Sequence, residues 1–271
     1  MSSKQTTGLN RDTMDKYYTK PYIVSECIAK IKEYITIDSN DLIIEPSAGN
    51  GAFITEIKTI SNQYKFYDLY PENNQIIKQD YLKLNISHDK KIHIIGNPPF
   101  GRQSSLAKQF IKKSCMIGDS ISFILPKSFK KDSMKKCFNM NFHLIYEKDI
   151  DDNGFLVNGV DNNVPCVFQI WEKKIEMRDA VVNVEPNGFI FTKKSSGPDI
   201  SFRRIGVYAG KIDKTIIGKS DESHYYIKFT NNKSVMENIE KLKTIKFDFN
   251  NTVGPKSISK QELIKEFNKK L

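Results

Sequence analysis

Between Pro21 and Pro126 short apolar runs alternate with stretches whose apolar residues fall at helical spacing, and this alternation restricts the fold more than any other feature. The runs are DLIIEP (Asp41 to Pro46), YKFYDLYP (Tyr64 to Pro71), QIIKQDYL (Gln75 to Leu82), KIHIIGN (Lys91 to Asn97) and ISFILP (Ile121 to Pro126). Each has the length of a strand and is closed by proline, glycine or a polar residue. Apolar residues on consecutive positions bury both faces of a strand, which requires helices on both sides of a mostly parallel sheet. Helices are predicted from Val24, Cys27, Ile28, Ile31 and Ile35, from AFITEIKTI, and from Leu106, Ala107, Phe110, Ile111 and Cys115. Pro21 sits in the first turn of the first of these, where its missing N–H costs nothing.

Two further apolar runs, FHLIYEK (Phe142 to Lys148) and VPCVFQIWEK (Val164 to Lys174), predict an antiparallel hairpin that closes the sheet. The Asp-, Asn- and Gly-rich segment between them, IDDNGFLVNGVDNN, reads as a long loop. Beyond Lys174 the texture changes to short β-like pieces, GFIFTKK, FRRIGVYAGK and HYYIKF, followed by two helices that open on capping boxes at Ser234 and Ser259. Ile258 and Leu263 bracket the second cap as a hydrophobic staple. The expected organisation is a polar tail over 1–15, an α/β domain over 16–175 and a small α+β region over 176–271.

No apolar run approaches the ~20 residues that span a bilayer, and the polar first fifteen residues lack a signal region, so the expectation is an intracellular chain, neither membrane-bound nor secreted. Cys27, Cys115, Cys137 and Cys166 show no metal-ligand spacing, and His88, His93, His143 and His224 form no cluster. The formal charge is +10, of which residues 176–271 carry +6 from 18 basic and 12 acidic side chains. A polyanionic partner fits that excess; so does a general bias toward lysine, isoleucine and asparagine.

Chemistry concentrates where strands end. EPSAGNGAF (Glu45 to Phe53) turns a strand into a helix with glycines that let backbone approach a ligand, at the carboxyl end where open α/β sheets bind ligands. It lacks the Gly-Lys-Ser/Thr of a phosphate loop and is not GxGxxG. Asp68, at the next strand end, is placed for ribose hydroxyls, and Asp80 for an adenine amino group. Together they outline a pocket for an adenosine-bearing cofactor without phosphates. GNPPF (Gly96 to Phe100) then offers Asn97 as a side-chain acceptor, Pro98 and Pro99 whose carbonyls cannot join a sheet, and Phe100 as a flat apolar face. That set suits a planar ring bearing an exocyclic amino group.

EPSAGNGAF together with GNPPF resembles the amino-methyltransferases that use S-adenosylmethionine (AdoMet), most closely the adenine-N6 DNA methyltransferases whose cofactor motif precedes the catalytic one. The resemblance covers about residues 16 to 175 and implies a Rossmann-like AdoMet-dependent methyltransferase fold. It implies that Tyr18 and Thr19 bind the methionine part of AdoMet; that Glu45, Ser47, Ala48 and Gly49 form the cofactor motif; that Asp68 holds the ribose; that Asp80 and Tyr81 hold the adenine; and that Asn97, Pro98, Pro99 and Phe100 are catalytic, with Asn97 also beside the cofactor. The family also carries Tyr where Phe100 stands. The implied reaction is direct in-line methyl transfer to the N6 amino group of an adenine flipped out of DNA.

Arg203, Arg204 and Lys211 are the candidate phosphate contacts in the carboxyl-terminal region, a candidate for target recognition. Its small size is compatible with a second subunit or a homodimer. RNA adenosine methylation, glutamine-N5 methylation of a protein, and a nucleic-acid-binding subunit active only with a partner are the alternatives. Cys166 follows a proline, as the nucleophile of cytosine-C5 methyltransferases does, but stands within an apolar strand far from the cofactor motif and reads as a buried structural cysteine.

Overall fold

The computed structural model describes residues 17–271 apart from Asp152, Asn158 and Val253. These divide into two compact units between Ala180 and Val181. The polar tail over 1–15 lies outside the described residues.

The first unit begins with strand β1 (Tyr18–Thr19), helix α1 (Pro21–Tyr34), β2 (Leu42–Glu45), the short α2 (Ile54–Ile57), β3 (Gln63–Asp68), β4 (Ile77–Lys78) and β5 (Ile92–Gly96). It continues with α3 (Ser105–Ile117), β6 (Ser120–Pro126), α4 (Asp132–Lys135), β7 (Phe142–Asp149), β8 (Phe155–Val157), β9 (Val160–Asn162) and β10 (Cys166–Lys173). Seven strands form one sheet in the order β4-β3-β2-β5-β6-β10-β7. All pairings from β4 to β6 are parallel, and β10 is antiparallel to both β6 and β7, so β10 alone runs against the rest. This is a Rossmann-like fold, a mostly parallel sheet closed by an antiparallel hairpin.

The strand residues alternate between two cores. Ile43, Ile95, Ile124 and Ile170 face the side covered by α1, where Ile23, Val24, Cys27, Ile28 and Ile31 pack. Ile44, Ile94, Phe123 and Trp171 face the side of α3, with Ala107, Phe110 and Ile111. At about 1.5–3 kcal/mol per fully buried large apolar side chain, the five α1 residues outweigh any weakness of helix propensity in a segment so rich in isoleucine and valine.

Chain order reverses between β2 and β5. From β2 the chain moves outward through β3 and β4, then returns to β5 and continues the other way. The crevice at the carboxyl ends of β2 and β5 is therefore the topological switch point.

Four expectations are corrected. QIIKQDYL is a two-residue strand, β4, and Asp80 instead caps a single 3-10 turn over Tyr81–Lys83 by accepting from the Leu82 N–H (3.0 Å). AFITEIKTI holds only one helical turn, because Gly51 to Phe53 are spent on the turn out of β2. The presumed loop between β7 and β10 contains the β8–β9 hairpin, which adds β1 as a third strand through Thr19 opposite Phe155. FRRIGVYAGK is a strand only to Arg203, where Arg204 to Lys211 turn back to the next strand.

The second unit carries β11 (Phe189–Thr192), β12 (Ile200–Arg203), β13 (Ile212–Asp213), β14 (His224–Phe229), α5 (Val235–Lys243) and α6 (Lys260–Asn268). Its antiparallel sheet has the order β11-β14-β12-β13. Phe189, Ile200, Phe202 and Ile227 pack on Leu242 from α5 and on Leu263, Ile264 and Phe267 from α6. Both capping boxes form, at Ser234 with Glu237 and at Ser259 with Glu262, and Ile258 and Leu263 are buried beside the second.

Candidate functional site

A cavity of about 580 Å³ opens at the switch point of the first unit. Every residue of the first unit that the motifs single out lines it: Tyr18 and Thr19, Glu45 to Gly49, Asp68, Asp80 and Tyr81, and Asn97 to Phe100. Three carboxylates, Asp68, Glu72 and Asp80, and the buried carboxyl of Glu45 line it with one cation, Arg102, so the wall favours a ligand with positive charge.

The wall is held from several directions. Gly96 has φ +152, and a Cβ there would stand 3.2 Å from the Glu45 Cγ, so glycine lets the ends of β2 and β5 approach. Asp68 accepts the Gly49 N–H on one carboxylate oxygen and the Tyr70 N–H on the other, both at 2.8 Å. It anchors the glycine turn, and each oxygen has capacity to accept a further hydrogen bond.

Glu45 is 2% exposed, and among the described residues its Oε2 has no hydrogen-bond partner. Burial, with the Asp68 carboxylate nearby, pushes its carboxyl up to about 8. Tyr18 donates its hydroxyl to the Glu72 carboxylate (2.8 Å). Tyr81 contributes its ring, while its hydroxyl is bonded to Ser114 on α3 (2.8 Å) and its pKa is raised by burial.

The orientation of Asn97 follows from its partners. Its Nδ2 donates to the Tyr17 carbonyl (3.3 Å) and to Thr19 Oγ1 (3.2 Å). A carbonyl can only accept, so the amide cannot be flipped without losing that bond. Ser47 donates to the Asn97 main-chain carbonyl (3.1 Å) and ties the two motifs together. Among the described residues no hydrogen bond engages Asn97 Oδ1 or the Pro98 carbonyl. Two unengaged acceptors thus belong to residues that line the same cavity as Phe100.

The sequence reading missed three contributors. Tyr17 lies nearly parallel to Phe100, with centroids 6.3 Å apart and 18° between planes. Glu72 reaches Tyr18, and the β8–β9 hairpin positions β1; Lys20 donates its N–H to the Gly154 carbonyl (3.0 Å) and pairs with Asp161 (2.7 Å). The signal that could have found the hairpin is GFLVNGVDN, two short apolar runs around Asn-Gly. Cys166 is fully buried in β10, and burial raises its thiol pKa, which leaves it no role as a nucleophile.

In the second unit the three basic candidates have separate partners. Arg203 turns its Nε to the Ile205 carbonyl (2.8 Å), whereas the Arg204 guanidinium lies over the Tyr225 ring, 5.5 Å from its centroid. Lys211 is exposed, and its carbonyl accepts the Arg203 N–H (2.8 Å). Arg203 and Arg204 thus engage different partners, a main-chain carbonyl and an aromatic ring.

No family model matches this chain. Over 179 residues it is 24% identical to the protein ENHANCED DOWNY MILDEW 2 of Arabidopsis thaliana, a match that covers 60% of this chain and only 13% of that much longer protein. Among solved structures it is similar to PH1948 from Pyrococcus horikoshii, proposed to be an RNA methyltransferase, at 15% identity and a TM-score of 0.48 over 63% of this chain and 94% of that one. It is also similar to the 23S rRNA methyltransferase ErmE, at 10% identity and a TM-score of 0.46 over 60% of this chain and 71% of that one. No helix among the described residues is long and apolar enough to cross a membrane.

Proposed function

We propose that this chain transfers a methyl group from AdoMet to the N6 amino group of adenine in nucleic acid, with DNA the polymer that the motif resemblance implies. The reading rests above all on two unengaged acceptors, Asn97 Oδ1 and the Pro98 carbonyl, on residues that line the switch-point cavity together with Phe100. An amino group has two protons to give, and its lone pair is delocalised into the ring. Accepting both protons draws the nitrogen toward sp³ character and frees the lone pair for attack. Phe100 replaces the stacking that a base loses on leaving a duplex.

The residues present fit AdoMet. Asp68 is available to ribose hydroxyls, the Glu45 carboxyl has an oxygen with no partner in a cationophilic wall, and the glycine turn admits backbone contact. Bound there, AdoMet supplies an electrophilic methyl group on a positively charged sulfur. Glu45 and its acidic neighbours favour that charge, and the apolar ring of Phe100 keeps water from the nucleophile.

Incubation of the protein with methyl-labelled AdoMet and, separately, duplex DNA, single-stranded DNA, RNA and cell-extract proteins tests the reading. It predicts label on an adenine-containing polymer and strongest incorporation into DNA. Label on protein glutamine, or on none of the four, contradicts it.

A further inference from the structure

We propose that the second unit carries its own site for single-stranded nucleic acid, an open cavity at the end of its sheet centred on Arg204 and Lys260. The proposal rests on the nucleic-acid reading above and adds a binding site remote in sequence from both motifs. The cavity measures about 1090 Å³, just above the ~300–1,000 Å³ range of small-ligand pockets. Lys193, Lys194, Arg204 and Lys260 line it against a single carboxylate, the exposed Asp221.

Two of these cations are held in place by rings. Arg204 lies over Tyr225, and the Lys260 Nζ stands 4.9 Å from the centroid of Phe191. The two rings brace each other edge to face, 5.5 Å apart, and the Tyr225 hydroxyl donates to the Ile258 carbonyl (3.2 Å). Lys194 is fixed by donating to the Lys219 carbonyl (2.8 Å). Among the described residues no carboxylate stands within ion-pair distance of Lys193, Arg204 or Lys260.

Four cations with one opposing carboxylate call for an anionic occupant. A cation braced over a ring has already given up part of its rotamer freedom, so less is lost when a phosphate arrives. Lysine and arginine keep several N–H donors after the ring contact, and arginine planes also stack bases. A phosphodiester strand satisfies both features, whereas an acidic peptide satisfies only the charge.

The test is fluorescence anisotropy of the full chain with labelled oligo(U) and, in parallel, oligo(dT), without AdoMet. Neither contains an adenine for the cavity of the first unit. Binding to either supports the site. The double variant Arg204→Ala/Lys260→Ala is expected to bind roughly tenfold or more weakly at about 0.1 M salt, and to lose about 1.4 from the slope of log K against log salt, at about 0.7 per phosphate contact.

Lys193→Glu, an exposed substitution that leaves the melting temperature unchanged, weakens binding severalfold. Unchanged affinity and slope in both variants overturn the proposal, as does equal displacement by polyglutamate of matched charge. Methyl transfer to adenine substrates, measured on the same preparations, separates the two readings: its absence beside intact, Arg204-dependent oligo(U) binding counts against the adenine reading alone.

Discussion

Glu45 shows how one residue links stability to the chemistry of the cavity. Its carboxyl is raised from an ordinary 4.5 to about 8 in the folded chain, so between those values the folded state holds a proton that the unfolded state has lost. Its contribution is therefore most favourable at low pH and declines as pH rises from about 4.5 to 8. Glu45→Gln removes that decline, and thermal melts of the ligand-free variant should gain on the wild type between pH 5 and pH 8. A cation in the cavity favours the carboxylate, so AdoMet binding near pH 7 should release a proton. Calorimetry in two buffers of different ionisation enthalpy should detect that release in the wild type and not in Glu45→Gln.

At the residue scale the site is legible because its chemistry is local. Asn97-Pro98-Pro99-Phe100 announces free acceptors beside a ring, and Glu45 to Gly49 announces a backbone turn that admits a ligand. What is hidden depends on residues far away in the chain. That Asn97 points its oxygen away from Tyr17 needs the Tyr17 carbonyl, eighty residues earlier. Glu72, in a stretch of bends, has no pattern of its own and gains its role only by meeting Tyr18.

At the scale of elements, long amphipathic and doubly apolar segments such as α1, α3, β2, β5 and β6 were legible because their periodicity reports burial directly. β4 and the β8–β9 hairpin were not, since two or three residues cannot display a period and their pairing is a tertiary event. The end of β5 is the most constrained point. Gly96→Ala should cost about 1–3 kcal/mol in chemical denaturation, because φ is +152 and the new Cβ would press on Glu45 Cγ. Because that pressure falls on Glu45, AdoMet affinity should fall as well; an unaltered denaturation midpoint with unaltered affinity would show that the two strand ends are not closely coupled.

At the scale of the whole molecule, the chain divides into two compact units between Ala180 and Val181. The second unit has its own core of Phe189, Ile200, Phe202, Ile227, Leu263 and Phe267. Residues 181–271 expressed alone should therefore melt cooperatively, and a broad, non-cooperative transition would contradict an independent core. The charge of the chain was legible from composition, but its arrangement was not: which of two neighbouring arginines faces a ring is decided by strand alternation and by the turn after Arg203.

We propose above all that Asn97 Oδ1 and the Pro98 carbonyl grip an adenine amino group. Mass spectrometry of nucleosides, from nucleic acid incubated with AdoMet and either wild-type or Asn97→Ala protein, tests it most directly. The wild type should yield N6-methyladenine, and Asn97→Ala should reduce turnover by roughly 10²–10³-fold while AdoMet affinity stays within a few-fold. Methylation at another atom, or equal turnover by the two proteins, would contradict the account.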